Sequence, residues 1–205
     1  MSNVQTLERT LDNEQASAMP ALANPAVLGL TGFGMTTVLL NMMNANIISG
    51  TALGMIFAIG IFYGGLAQIV AGAMEFRKGN TFGLTAFTSY GFFWISLVAL
   101  MIFPTIGWAK AVDSTSMAAY LAMWGLFTAY MFVATLKKNR ATQFIFGSLT
   151  ILFFLLAIHD YTGIALVGTI AGLEGILCGL SAIYLAAAEM LKEAHGKEIL
   201  PVGGL

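Results

Sequence analysis

Charged positions in this chain come in clusters separated by long apolar runs. No Lys, Arg, Asp or Glu occurs between Glu14 and Glu75, and the same holds for 79–109, 114–136 and 141–159. A further run follows Asp160, interrupted by Glu174 alone before Glu189. A helix needs about 20 apolar residues to cross about 30 Å of hydrocarbon. The first run is long enough for two crossings, and it breaks at Asn41-Met42-Met43-Asn44-Ala45-Asn46. The pattern predicts an all-α integral membrane protein with helices near 25–43, 52–74, 83–103, 117–136, 142–158 and 164–190. The fifth is expected to be the shortest. The connections leave no room for an extramembrane domain, so 24–190 reads as the transmembrane domain, with tails at 1–23 and 191–205.

The basic residues orient the bundle. With the N-terminus in the cytoplasm, the inside segments hold Arg9, Arg77, Lys78, Lys137, Lys138, Arg140, Lys192 and Lys197, and the outside loops hold Lys110 alone. That bias places both termini in the cytoplasm. Residues 1–20 carry Glu8, Arg9, Asp12 and Glu14 and lack the apolar core of a signal peptide. They read as a disordered tail.

Composition narrows the function classes. Charged residues make up 9% of the chain, against about 25% in an average soluble domain. The net charge of -1 gives no reason to expect a nucleic-acid partner. Cys178 has no second thiol, and two histidines are too few for a His-rich metal site. Neither a phosphate-binding loop nor a convergent set of titratable groups is present, so no catalytic residue, metal or cofactor is expected.

Polar positions inside the spans are the remaining candidates. Phe33, Thr37 and Asn41 share one face of the first helix. Gly64, Gln68 and Gly72 share one face of the second, which ends at Glu75. Thr85, Ser89 and Ser96 form a stripe on the third, with Tyr90 beside it. Three such stripes read either as a shared hydrated path or as hydrogen bonding between helices. Asn24-Pro25 is a helix start: Asn is a favoured cap and Pro a favoured first residue. The free N–H groups and dipole of that terminus also attract anions, so at a pore mouth Asn24 would gather carboxylates. Glu174 is the one acid well inside a span and is a candidate for gating or proton linkage. His159-Asp160 reads as an ordinary turn in an outside loop. Gly168, Gly172, Gly175 and Gly179 allow close helix approach, within one subunit or between two.

Asn24-Pro25-Ala26-Val27-Leu28-Gly29-Leu30 resembles the NPAPLGL signature of the succinate–acetate permease family, the acetate uptake transporters, with Val27 in place of the usual proline. The stretches from Gly60 to Gln68 and from Gly79 to Gly91, Ser181-Ala182-Ile183-Tyr184-Leu185 and Ile199-Leu200-Pro201 are similar to the same family. The resemblance covers 24 to about 202. It implies six spans around a narrow pore in each subunit, a homohexamer, and a multi-pass place among the lipids of the cell (inner) membrane. It implies transport of acetate, with succinate and other small carboxylates as further substrates, by an anion channel or a proton symporter. It also implies a hydrophobic constriction, which maps to Phe33, Tyr90 and Leu149. The alternatives are a channel for urea or similar neutral solutes, and a membrane sensor that transports nothing.

Overall fold

The computed structural model describes residues 22–204, so all but the last residues of the expected N-terminal tail lie outside the described residues. Six helices are long and apolar enough to cross a membrane: α1 (Pro25–Asn44), α2 (Gly50–Arg77), α3 (Thr81–Ile102), α4 (Ser114–Thr135), α5 (Arg140–Thr162) and α6 (Ala165–His195). No strand occurs among the described residues.

Local chemistry sets where the helices begin and end. Asn24, Asn80, Asp113 and Asn139 each precede a helix and accept a hydrogen bond from a first-turn N–H, at 3.2, 3.1, 2.9 and 2.8 Å. Each satisfies one of the orphan donors that every helix start leaves. At the other end, Gly163 and Gly196 stop α5 and α6 with φ of 68° and 66°, a conformation that glycine adopts without penalty. Because Gly163 sets the stop, α5 runs through His159 and Asp160. Those two residues belong to its last turns, not to an outside loop, and His159 Nδ1 lies 3.0 Å from the Ile164 carbonyl. α5 therefore has 23 residues, and α1, with 20, is the shortest span. α6 continues past 190 to His195, and the chain then returns to the bundle. The carbonyls of Gly203 and Val202 accept the first two N–H groups of α5, at 2.9 and 3.0 Å.

The helices form a ring in chain order. α1 packs on α2 and α6, α2 on α3, α4 on α5, and α5 on α6. The α1–α6 seam is backbone to backbone. A Cβ on Gly34 would stand 2.7 Å from the Gly179 carbonyl, and one on Gly179 equally close to the Gly34 carbonyl. Gly172 faces Ala45, Gly175 faces the Asn41 side chain, and Gly168 faces the His159 ring. These four glycines of α6 thus serve packing within the subunit. α3 and α4 are joined differently, through rings. Phe93 meets Trp124 at 5.1 Å and Tyr90 meets Phe127 at 5.3 Å between centroids.

Within α2, Gly60–Ala67 is π-helical. The wide turn shifts the helix register and releases carbonyls, one of which, on Gly64, is taken by Gln68. Apolar side chains such as Phe62, Met123, Leu126 and Leu173 face outward, while Thr36, Thr37, Asn41, Gln68, Glu75 and Thr128 are buried. A soluble globule shows the reverse. In lipid, apolar exteriors are the solvated ones and polar groups find partners inside.

Candidate functional site

A cavity of about 330 Å³ enters the ring from the end that carries the basic loops. By the positive-inside rule this is the cytoplasmic end. Its rim holds Asn24, Asn80 and Asn139, the N-cap residues of α1, α3 and α5. Lys138 and Glu189 complete the rim, and Lys138 Nζ lies 4.6 Å from the Phe82 ring centroid. Three helix starts therefore converge on one opening. Each contributes the positive end of a helix dipole, and the ammonium adds a full charge.

Below the rim the walls become apolar, with Leu30, Phe82, Phe87 and Phe146. Gln68 is the polar exception. It is fully buried, its Nε2 donates to the Gly64 carbonyl at 2.6 Å, and its Oε1 has no partner. Phe33, Tyr90 and Leu149 also line the cavity, and they are 6%, 3% and 3% exposed. The Phe33 and Tyr90 rings stand 6.0 Å apart. Tyr90 is held by the rings of Trp124, Phe127 and Phe146. Its hydroxyl donates to Thr128 Oγ1 at 3.0 Å, and that hydroxyl donates onward to the Trp124 carbonyl at 2.7 Å. With its oxygen turned to α4, Tyr90 offers the cavity an aromatic surface. The three residues come from three helices, and all three are buried.

The other sequence candidates lie elsewhere. Asn41 is buried, with Nδ2 donating to the Thr37 carbonyl at 2.9 Å and its carbonyl oxygen accepting from Asn44 at 3.1 Å. Wedged against Gly175, it ties α1 to α6. Thr37 is buried one turn past Phe33, and its hydroxyl has no partner. Thr85 and Ser89 are half-buried on α3 and do not line the cavity. That helix turns Phe82, Gly83, Ala86, Phe87 and Tyr90 inward, and the Thr85–Ser89 stripe flanks that face. The last member of the stripe, Ser96, shares a hydrogen bond of 2.6 Å with the Tyr120 hydroxyl, across to α4. Glu174 is half-buried on α6. It accepts a hydrogen bond from Ser148, the neighbour of Leu149, and its Oε2 has no partner. Of the three polar stripes, then, only Gln68 lies in the cavity.

Sequence reasoning passed over Asn80, Asn139 and Lys138 at the rim, and the buried Glu75 beside Asn80. The signal was present, since each Asn stands at the head of a span, in Asn80-Thr81-Phe82 and, one arginine removed, in Asn139-Arg140-Ala141. What the sequence lacks is any sign that three helix starts meet at one opening.

The GPR1/FUN34/yaaH family model matches residues 8–202. The chain belongs to this family. It is 54% identical over 182 residues to the succinate-acetate/proton symporter SatP of Escherichia coli, covering 89% of this chain and 96% of that one. Acetate permease A of Emericella nidulans is 32% identical over 227 residues, covering 98% of this chain and 76% of the permease. The solved structure of the bacterial acetate channel SatP superposes with a TM-score of 0.87 at 54% identity, covering 89% of this chain and all of that one. The six-helix architecture expected from the apolar runs is therefore the family fold.

Proposed function

We propose that this chain moves acetate and other small carboxylates, succinate among them, across the cell (inner) membrane as a channel or proton symporter assembled as a homohexamer. The names of its relatives support the substrate class. The observation that carries the reading is the cavity, whose rim brings three helix N-termini, their amide side chains and the Lys138 ammonium above apolar, aromatic walls. This is the complement of a molecule with a carboxylate head and a short hydrocarbon tail. The rim replaces part of the hydration shell of the anion, and Phe33, Tyr90 and Leu149 pass its methyl group while excluding bulkier acids. Asn24, Asn80, Asn139 and Lys138 gather the anion. Glu174 holds Ser148 beside Leu149 and acts on the gate.

A small carboxylic acid ionises near the range of a Glu side chain, about 4.3, so at neutral pH roughly one molecule in several hundred is neutral. The anion needs a sheltered route, and here it finds one. Among the described residues no arginine lines the cavity to clamp it bidentately, which favours low affinity and high turnover. The test is acetate flux into liposomes containing the purified protein, with and without a pH gradient and under imposed voltage. Acetate flux above empty liposomes is the expected result. Urea flux without acetate flux, or no flux at all, overturns it. Dependence on the pH gradient separates symport from a channel.

A further inference from the structure

Glu75 is a buried acid that the path above does not use. It lies in the last turns of α2 and is 1% exposed. Its Oε2 accepts a hydrogen bond of 2.7 Å from Asn80 Nδ2, and its Oε1 has no partner among the described residues. Burying a carboxylate with an oxygen that lacks a hydrogen bond is costly. Asn80 and Gly83 separate it from the cavity. Both line that cavity, and a Cβ on Gly83 would stand 2.8 Å from Glu75 Cγ. α1 and α3, which pack on α2, carry no Lys, Arg, Asp, Glu or His, and Tyr90 is their one titratable side chain. On α2 and just past it, Arg77 and Lys78 are exposed. Around the cavity the charged groups are Lys138 and Glu189.

We propose that Glu75 is the proton-binding group of this protein, and that Asn80 couples its protonation to carboxylate binding in the cavity. The proposal rests on the carboxylate path described above. While Glu75 is ionised, it holds Asn80 Nδ2 in a charge-assisted hydrogen bond. It also places a negative charge one side chain away from the arriving anion. When Oε1 takes a proton, the new O–H bond forms as the O–H bond of a hydronium ion, or of the substrate acid itself, breaks. Water or the substrate carboxylate is left behind, and no other reactant is needed. The charge is gone, the Asn80 bond becomes a weaker neutral one, and Nδ2 is free to donate into the cavity. Proton and carboxylate then strengthen each other's binding by the same factor. Because they load and leave together, a pH gradient can drive the carboxylate. Carboxylate affinity rises as pH falls.

The test follows acetate binding to the purified protein by calorimetry in two buffers of different ionisation heat. Wild type is expected to take up a proton with acetate, and its affinity is expected to fall about tenfold from mildly acid to neutral pH. Glu75→Gln, which mimics the protonated state, is expected to take up no proton and to bind acetate equally at both pH values. Asn80→Ser keeps a helix cap and removes Nδ2. It serves where Glu75→Gln does not assemble, and is expected to bind acetate without proton uptake. Proton uptake by either variant equal to that of wild type overturns the proposal, as does loss of uptake in Glu174→Gln with retention in Glu75→Gln. Acetate flux through wild type in liposomes is measured beside these. If that flux is present and no proton is taken up, the coupling fails and the path stands; if it is absent, the path itself fails.

Discussion

The ring of helices is closed in two ways. Between α1 and α6 the backbones touch at Gly34 and Gly179, with the side chains of Asn41, Val38 and Ile183 packed beside them. Between α3 and α4 the space is filled by Tyr90, Phe93, Tyr120, Trp124 and Phe127. The first seam is rigid, because a backbone has nowhere to retreat. The second consists of rings, which can be trimmed or re-oriented with the helices left in place. Tyr90, which lines the cavity, belongs to the second. The invariable geometry thus lies where α1 and α6 hold together, and the adjustable geometry lies beside the cavity.

Substitution at the glycine seam should separate the two most sharply. Gly34→Val would drive a side chain into the Gly179 carbonyl and Ile183. Overpacking a core costs 1–3 kcal/mol when side chains can yield, so about 3 kcal/mol or more is expected here. The readout is yield of monodisperse protein in detergent and its thermal midpoint. Phe127→Leu, at the aromatic seam, should keep the yield. If Gly34→Val assembled as well as Phe127→Leu, the claimed contrast would be wrong.

Next in size is Leu149→Ala, which removes the aliphatic side of the closure. The bundle loses packing there, but flux of a bulkier acid such as lactate should rise about tenfold relative to acetate, a shift of about 1.4 kcal/mol. An unchanged lactate-to-acetate ratio in liposomes would detach Leu149 from selectivity.

These experiments bear on how much of the molecule could be read from its sequence. The six spans were legible because charge-free runs of bilayer length have few other interpretations. Helix starts were legible at Asn24-Pro25, and the packing use of the α6 glycines was one of two readings left open. The stripes misled because side-chain chemistry on one helix does not say which neighbour it meets. Asn41 and Ser96 look like pore lining in isolation, yet Asn41 bonds within α1 and packs on Gly175 of α6, and Ser96 bonds to Tyr120 of α4. Glu75 was passed over as the end of a span, since burial depends on Asn80 and Gly83 folding over it. His159 was misplaced because the stop at Gly163 outweighs the polarity of His159-Asp160.

At the cavity mouth the expected effects are smaller. Asn24→Ala removes the cap of α1, at about 1 kcal/mol, and one of three amides at the rim, so a several-fold loss of acetate uptake is expected with assembly intact. Lys138→Ala removes the one ammonium at the rim and should weaken apparent acetate affinity two- to fivefold. The difference between Lys138→Ala and wild type should shrink in high salt, as expected for a half-buried charge that solvent still reaches. Equal uptake by Asn24→Ala and wild type would reduce Asn24 to a helix cap.

The subtlest change is at the aromatic seam itself. Thr128→Val keeps the shape of the side chain but removes the acceptor of the Tyr90 hydroxyl. A buried hydroxyl without a partner costs about 1–3 kcal/mol. Two responses are open to the ring, and they are distinguishable. If the seam were as rigid as α1–α6, Tyr90 would stay in place, the thermal midpoint would fall and acetate flux would be unchanged. If the seam is adjustable, the ring rotates until its hydroxyl reaches the cavity. There it can donate to a passing carboxylate, so most of the stability loss is recovered and acetate flux changes about twofold. The second outcome is expected, because Tyr90 is bounded by other rings and not by backbone. Thr128→Val therefore asks whether the gate of this protein is held by packing or by one hydrogen bond.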